Sequence, residues 1–377
     1  MKDQKIRFNS LDVFRGLTVC FMIIVNTPGS GATPFSPLKH ADWHGFTVTD
    51  LVFPSFLFVV GTAMSFSFRI YMLENASAAL GSIFRRTVVI FLLGYLSYWF
   101  PFFKLDGAGD LALLPISETR ILGVLQRIAL CYLLASLMVL FLSKRSVILL
   151  SIVYLLAYWA VLLSFGEPSD PLSISGNAGF FLDRFLLGES HLYHSRGVVF
   201  EAQGILSTFP ATVNVITGYF VGEFLQKRGK GYESTSKLLL LGCLLIFLAV
   251  CWDSSFPVNK KLWTSSFVLL TSGLDLILIA VLVYALEIKD WNPGNWTRFF
   301  NIFGKNPLFL YLLSVLAVKV LVLVSVGDNS NLYRWFSKVF QNLIPGPVGS
   351  LLFAISFMLV CWCIGWILDR KKIYVKV

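Results

Sequence analysis

Long apolar runs, each ended by a short polar break, recur along the whole chain. About 20 such residues let an α-helix cross the hydrocarbon of a bilayer, so the pattern predicts an all-α membrane bundle of about ten transmembrane helices. The predicted spans lie near 11–30, 47–69, 87–103, 121–142, 146–165, 205–225, 237–254, 262–286, 306–326 and 350–369. They follow at short intervals except at a polar segment of roughly 166–204, read as a non-cytoplasmic loop that is either a solvated linker or a wall beside a membrane site. Within that loop, 182–187 could form an interfacial helix. Residues 291–296 and 345–347, with their Pro and Gly, read as turns. No repeat or separable soluble domain breaks the series, so 1–377 is expected to form a single transmembrane domain.

Composition changes the picture only by closing alternatives. With 56% hydrophobic and 14% charged residues, the chain lacks the polar surface to clothe a water-soluble globule. A net charge of +10 would suggest nucleic acid in a soluble protein, but here the charge alternates between successive loops. Lys2, Lys5 and Arg7, Arg69, Arg85 and Arg86, Lys144 and Arg145, Lys227, Arg228, Lys230 and Lys237, Lys289, Arg298 and Lys305, and Arg370, Lys371, Lys372 and Lys376 all fall on one side. The positive-inside rule makes that side cytoplasmic and puts both termini there, which requires an even number of spans. The first span leads into Asn26 without a small-residue cleavage pattern, so it is expected to stay in the membrane. Six cysteines, all within predicted spans, read as small apolar packing residues.

Candidate chemistry concentrates near the start of the chain. Ser10-Leu11-Asp12-Val13-Phe14-Arg15-Gly16 opens the first span with an acid and a base on one helix face. Ser10 as a cap and Arg15 paired with Asp12 would account for it; contact between Arg15 and a ligand phosphate is the functional alternative. Further on, Asn26, the loop residues His40, Trp43 and His44, and Asp50 in the first turn of the second span meet on the non-cytoplasmic face. Imidazole suits proton transfer near neutral pH, a carboxylate can orient it, and an asparagine amide can donate to an oxyanion; those parts suit acyl transfer. A loop histidine satisfying backbone groups is the plainer alternative, and zinc is weaker because Gly and Pro flank the two histidines. At depth, Gln126, Arg127, Asn214, Asp275 and Lys319 either bond helix to helix or line a cavity. A buried guanidinium such as Arg127 calls for a phosphate or carboxylate.

Six ordered stretches carry a resemblance: Ser10 to Gly16; Val25-Asn26; Lys39-His40-Ala41 with Trp43 and Gly45; Thr49-Asp50-Leu51-Val52-Phe53-Pro54; Arg120 to Arg127; and Gly304-Lys305-Asn306 to Tyr311. Together they resemble the signatures of the heparan-alpha-glucosaminide N-acetyltransferases and their bacterial membrane relatives. The resemblance implies a multi-pass enzyme of a bacterial inner membrane that moves acetyl from cytoplasmic acetyl-CoA to the amine of a glucosamine unit near the opposite face. Catalysis would centre on His40, with Asn26 steadying the thioester carbonyl or its oxyanion and Asp50 completing the set. Arg15, Arg120, Gln126, Arg127, Asn306 and Tyr311 would hold acetyl-CoA, and Trp43, His44, Glu201 and Gln203 the acceptor. Neither a metal nor a nucleic acid is implied; lipids surround the protein, and a homodimer stays open. The chain departs from the pattern at Glu201-Ala202-Gln203-Gly204, where relatives commonly read Asp-Pro-Glu-Gly, which leaves the acceptor open. A sugar or peptidoglycan-fragment transporter using Arg127, Asp275 and Lys319, or an O-acyltransferase of envelope glycan, are the alternatives.

Overall fold

The computed structural model describes residues 8–71, 76–105, 111–195, 197–326 and 330–375. Thirteen α-helices dominate: α1 (Asn9–Asn26), α2 (Val48–Tyr71), α3 (Ala76–Trp99), α4 (Val124–Phe141), α5 (Lys144–Phe165), α6 (Ala178–Leu187), α7 (Thr208–Arg228), α8 (Tyr232–Asp253), α9 (Ser265–Val283), α10 (Trp296–Lys305), α11 (Pro307–Leu323), α12 (Leu332–Leu343) and α13 (Pro347–Arg370). Two small antiparallel hairpins sit in the connections, β1 (Phe103–Leu105) with β2 (Leu111–Leu113) and β3 (His194–Ser195) with β4 (Val198–Val199).

Each segment predicted to span corresponds to a helix of 17 residues or more. Among the described residues, eight are long and apolar enough to cross a membrane by themselves: α1 to α5, α8, α9 with its following turn, and α13. A ninth arises only if α10 and α11, bent by 81° at Asn306-Pro307, are taken together. The segment expected at 205–225 is α7, which carries Asn214, Glu223, Lys227 and Arg228 and is not among the eight. Protein rather than lipid surrounds much of it. Gly218 and Gly222, spaced as Gly-x-x-x-Gly, let α2 come so close that a Cβ at Gly218 would lie 2.0 Å from the Phe58 carbonyl oxygen. Gly61 of α2 answers in kind, 1.9 Å from the Val215 carbonyl oxygen. A bulkier residue at any of these contacts would force α2 and α7 apart and break the packing that holds the polar helix.

The long helices alternate end to end, which gathers the loops into two groups. At one end the start of α1 meets the end of α9, and Lys230 pairs with Glu287, Lys144 with Glu223 and Lys305 with Asp369. The described N- and C-terminal segments lie together here. Ser10, expected to cap α1, is inside the helix instead; Glu287 takes over, accepting from both the Ser10 amide and its hydroxyl. Lys2, Lys5, Arg7 and Lys376 lie outside the described residues. At the opposite end are the loops that carry His40, Arg120, Glu201 and Lys260. The interfacial helix expected at 182–187 is longer, residues 178–187 forming α6, and two stretches outside the predicted spans, 296–305 and 332–343, are the short amphipathic helices α10 and α12. Of the cysteines, Cys20, Cys131 and Cys361 are buried, whereas Cys243, Cys251 and Cys363 lie on outward faces.

Candidate active site

The loop between α1 and α2 is tied down at several points. Gly45, at a positive φ of 105° that favours glycine, turns the chain so that its amide donates to the Val258 carbonyl at 2.8 Å. Thr47 donates its hydroxyl to the Lys39 carbonyl at 2.7 Å, and Thr49 to that of Pro37 at 3.1 Å. His40 is thereby held against the first turn of α2, where its Nδ1 is 2.7 Å from Oδ1 of the buried Asp50. The other oxygen of Asp50 accepts from the Ala41 amide (3.2 Å) and the Thr47 amide (3.0 Å), with the Thr47 hydroxyl oxygen also 3.0 Å away. With the Ala41 and Thr47 amides on Oδ2, Oδ1 can accept from Nδ1–H, the tautomer that leaves the lone pair on Nε2. Pro54, inside α2, lacks the N–H that would have bonded the Asp50 carbonyl, a local irregularity beside the dyad.

A third group completes the cluster. Lys260, in the loop between α8 and α9, places Nζ 2.9 Å from Nδ1 and 3.4 Å from Nε2 of His40, and 3.5 Å from Oδ1 of Asp50. That loop is internally braced: Asp253 accepts from the Val258 amide at 2.6 Å, Asn259 from the Leu262 amide at 2.9 Å, and the Thr264 hydroxyl from the Asn259 amide at 3.0 Å. Burial pushes the Lys260 ammonium down to about 8, against the pull of the Asp50 carboxylate. Sequence reasoning passed over Lys260. A lysine in a short loop reads as a topological charge, and nothing local signals a partner 220 residues away.

The 166–204 segment packs over this loop. Trp43 donates its indole N–H to the Leu172 carbonyl at 2.9 Å and meets Phe200 edge-on, while His44 turns to Asn259 at 3.4 Å. Glu201 is fully buried and grips Arg120 with both oxygens, at 2.8 Å and 2.5 Å; Gln203 adds a bond of 2.7 Å and the Tyr98 hydroxyl one of 3.3 Å. The rings of Tyr98 and Tyr193 lie against the same guanidinium. Burial alone would loosen the Arg120 proton, but the bonds to Glu201 outweigh it and raise the group above its ordinary value. Behind this clamp, Asp183 accepts from the Ile205 amide at 2.9 Å, and a Cβ on Gly204 would fall 1.9 Å from its Oδ2. Burial pushes the Asp183 carboxyl up to about 7.

The expected set is thus divided. His40 and Asp50 are brought together; Asn26, exposed at the end of α1, makes no hydrogen bond to His40 among the described residues. Arg120 was expected beside acetyl-CoA, yet its donors are taken by Glu201, Gln203 and Tyr98 at the histidine end. Arg127 is buried further in, bonded to the Gly204 carbonyl and the Ser207 hydroxyl and lying over the Trp263 ring; its neighbour Gln126 has both amide atoms buried without a partner among the described residues. Tyr311 is buried within electrostatic reach of Tyr98 and Arg120. Arg15 and Asn306 belong to the basic end: Arg15 reaches the Gly304 carbonyl at 3.5 Å, and Asn306 bonds the Ile373 carbonyl and the Val375 amide. That end also holds an open polar cavity of about 440 Å³, lined by Asn9, Thr297, Arg298, Asn301, Lys305 and Asp369 among others.

Residues 7–249, which include the His40–Asp50 pair and the Arg120–Glu201 clamp, match the profile of the family described as heparan-alpha-glucosaminide N-acetyltransferase, catalytic. The chain belongs to this family. It is similar to the human heparan-alpha-glucosaminide N-acetyltransferase, 27% identical over 430 residues that cover 98% of this chain and 60% of that protein. The mouse protein of the same name is also 27% identical, over 365 residues covering 81% of this chain and 53% of its own length. The chain therefore spans well under two thirds of these mammalian N-acetyltransferases, and the matched family region ends within α8, before Lys260.

Proposed function

We propose that the protein is a multi-pass membrane acetyltransferase that carries acetyl from acetyl-CoA, entering at the basic end, to the amine of a glucosamine-type sugar arriving at the histidine end. The observation that carries this reading is the His40–Asp50 dyad, Nδ1 to Oδ1 2.7 Å, at one end of an apolar helical bundle in a chain of an N-acetyltransferase family. By the positive-inside rule the basic end faces the cytoplasm of a bacterial inner membrane.

His40 acts as general base through Nε2, with Asp50 holding the ring in that tautomer. It takes a proton from the acceptor nitrogen as that nitrogen attacks the thioester carbonyl carbon. The C–N bond forms, the carbonyl oxygen takes up negative charge, and collapse breaks the C–S bond; the thiolate leaves and receives the proton from His40. Asn26, at the same end and with no hydrogen bond from its side-chain amide among the described residues, donates to the oxyanion. The phosphates of the CoA nucleotide occupy the cavity at the basic end, where Arg298 supplies a cationic donor, Lys305 would be drawn from its pair with Asp369, and Asn9, Thr297 and Asn301 supply neutral polar groups. Trp43 and the 166–204 segment wall the acceptor side. Purified protein given isotope-labelled acetyl-CoA and glucosamine should yield a labelled amide by mass spectrometry. An ester instead would move the reading to O-acyl transfer, and unmodified sugar accumulating in vesicles would move it to transport.

A further inference from the structure

We propose that Lys260 is a positioning residue that sets the proton affinity of His40, so that Asp50 orients the imidazole without holding a proton on it. The inference rests on the reading of His40 as the base and concerns a residue beyond the matched family region.

A carboxylate 2.7 Å from an imidazole has two consequences that conflict in a base. It fixes the ring and its tautomer, and it also stabilises the imidazolium, which has no lone pair with which to take a proton from an amine. Lys260 separates the two. With Nδ1–H donated to Asp50, the ammonium meets the ring as a charge, 2.9 Å from Nδ1 and 3.4 Å from Nε2, and opposes a second positive charge there. It sits 3.5 Å from the same carboxylate oxygen. Lys260 and a proton on His40 would therefore compete for the single negative charge of Asp50, so a charged lysine opposes an imidazolium beside it. Placement is secured by the braced loop around Asn259 and by a Lys260 side chain only 17% exposed.

The other charged groups nearby do not substitute for it. From α2 the facing group is Asp50. In the His40 loop, Lys39 and Asp42 are exposed. In the α8–α9 loop, Lys261 turns away to bond the Asp42 carbonyl at 2.6 Å and to lie over the Trp43 ring. His44 bonds Asn259.

The test uses the full chain in detergent with K260M and K260R. Two quantities are followed: the pH dependence of kcat/KM for acetyl transfer from acetyl-CoA to glucosamine, and the titration of the His40 ring by NMR, assigned by its loss in His40→Gln. Removing the ammonium should let His40 keep its proton to higher pH, so K260M should raise the acid-limb midpoint and the NMR midpoint by about one pH unit or more. K260R, charged throughout, should keep both near wild type. A K260M protein that is slower with both midpoints unmoved has lost a merely structural contact and overturns the proposal, as does a downward movement. If the wild type transfers no acetyl, the reading of His40 as base fails by itself, while the NMR midpoint still decides the inference. Should K260M not fold, K260Q is read by the same titration.

Discussion

The two ends of the bundle are built differently. At the histidine end the groups around the dyad hold one another: Asp50 accepts from the Ala41 and Thr47 amides and faces His40; Glu201, Gln203 and Tyr98 take donors of Arg120; and the loop bearing Lys260 is cross-braced. At the basic end the side chains around Arg298 and Lys305 line an open cavity of about 440 Å³. Preorganised dipoles serve chemistry, because they need not reorganise as charge develops. An open polar cavity suits docking, because a ligand can enter and leave it. Changes at the two ends should therefore act on different kinetic constants.

The largest effect is expected at His40. His40→Ala should lower kcat for acetyl transfer by about 10²–10⁴-fold, with the helical circular-dichroism spectrum unchanged. Asp50→Asn frees the tautomer without removing the base, and a loss of about 10²-fold or more in kcat with little change in KM would mark an orienting role. Arg120→Ala strands the buried Glu201 carboxylate and should cost about 3–5 kcal/mol in unfolding measurements. At the basic end, Arg298→Ala combined with Lys305→Ala should raise KM for acetyl-CoA about tenfold and spare kcat, since the lost contacts act alike on ground and transition states. The smallest effect concerns pH. The Asp183 carboxyl is raised to about 7 in the fold, above its unfolded value, so its stabilising contribution is complete in acid and is lost as pH rises through 7. Proteolysis within 166–204 should therefore quicken modestly from pH 6 to pH 8, and Asp183→Asn should remove that dependence.

The same contrast explains what was legible in the sequence. Spanning helices announce themselves because lipid demands apolar residues over a full crossing, and all ten predicted segments are helices here. α7 departs because most of it packs against protein, with Asn214 buried and the charged Glu223, Lys227 and Arg228 gathered at its basic end, so its composition is not that of a lipid-facing crossing. α10 and α12 escaped because they are 10 and 12 residues long and amphipathic, too short and polar for a crossing yet periodic enough to lie along an interface. In the site, His40 and Asp50 were legible because ten residues separate them and one helix start fixes both. Lys260 and Glu287 were not, since each acts on a partner more than 200 residues away that only the packing of α9 against α1 and α2 brings near. The motif around Arg120 was clear, but its bond to the buried carboxylate of Glu201 was not, because that partner lies 81 residues further along the chain.

Sealed vesicles holding the protein in one orientation test the division of labour between the ends most directly. With labelled acetyl-CoA on the side of the basic end and glucosamine only on the side of His40, the account predicts labelled amide on the glucosamine side and none from His40→Ala. Product that forms only when both substrates share one side would contradict it.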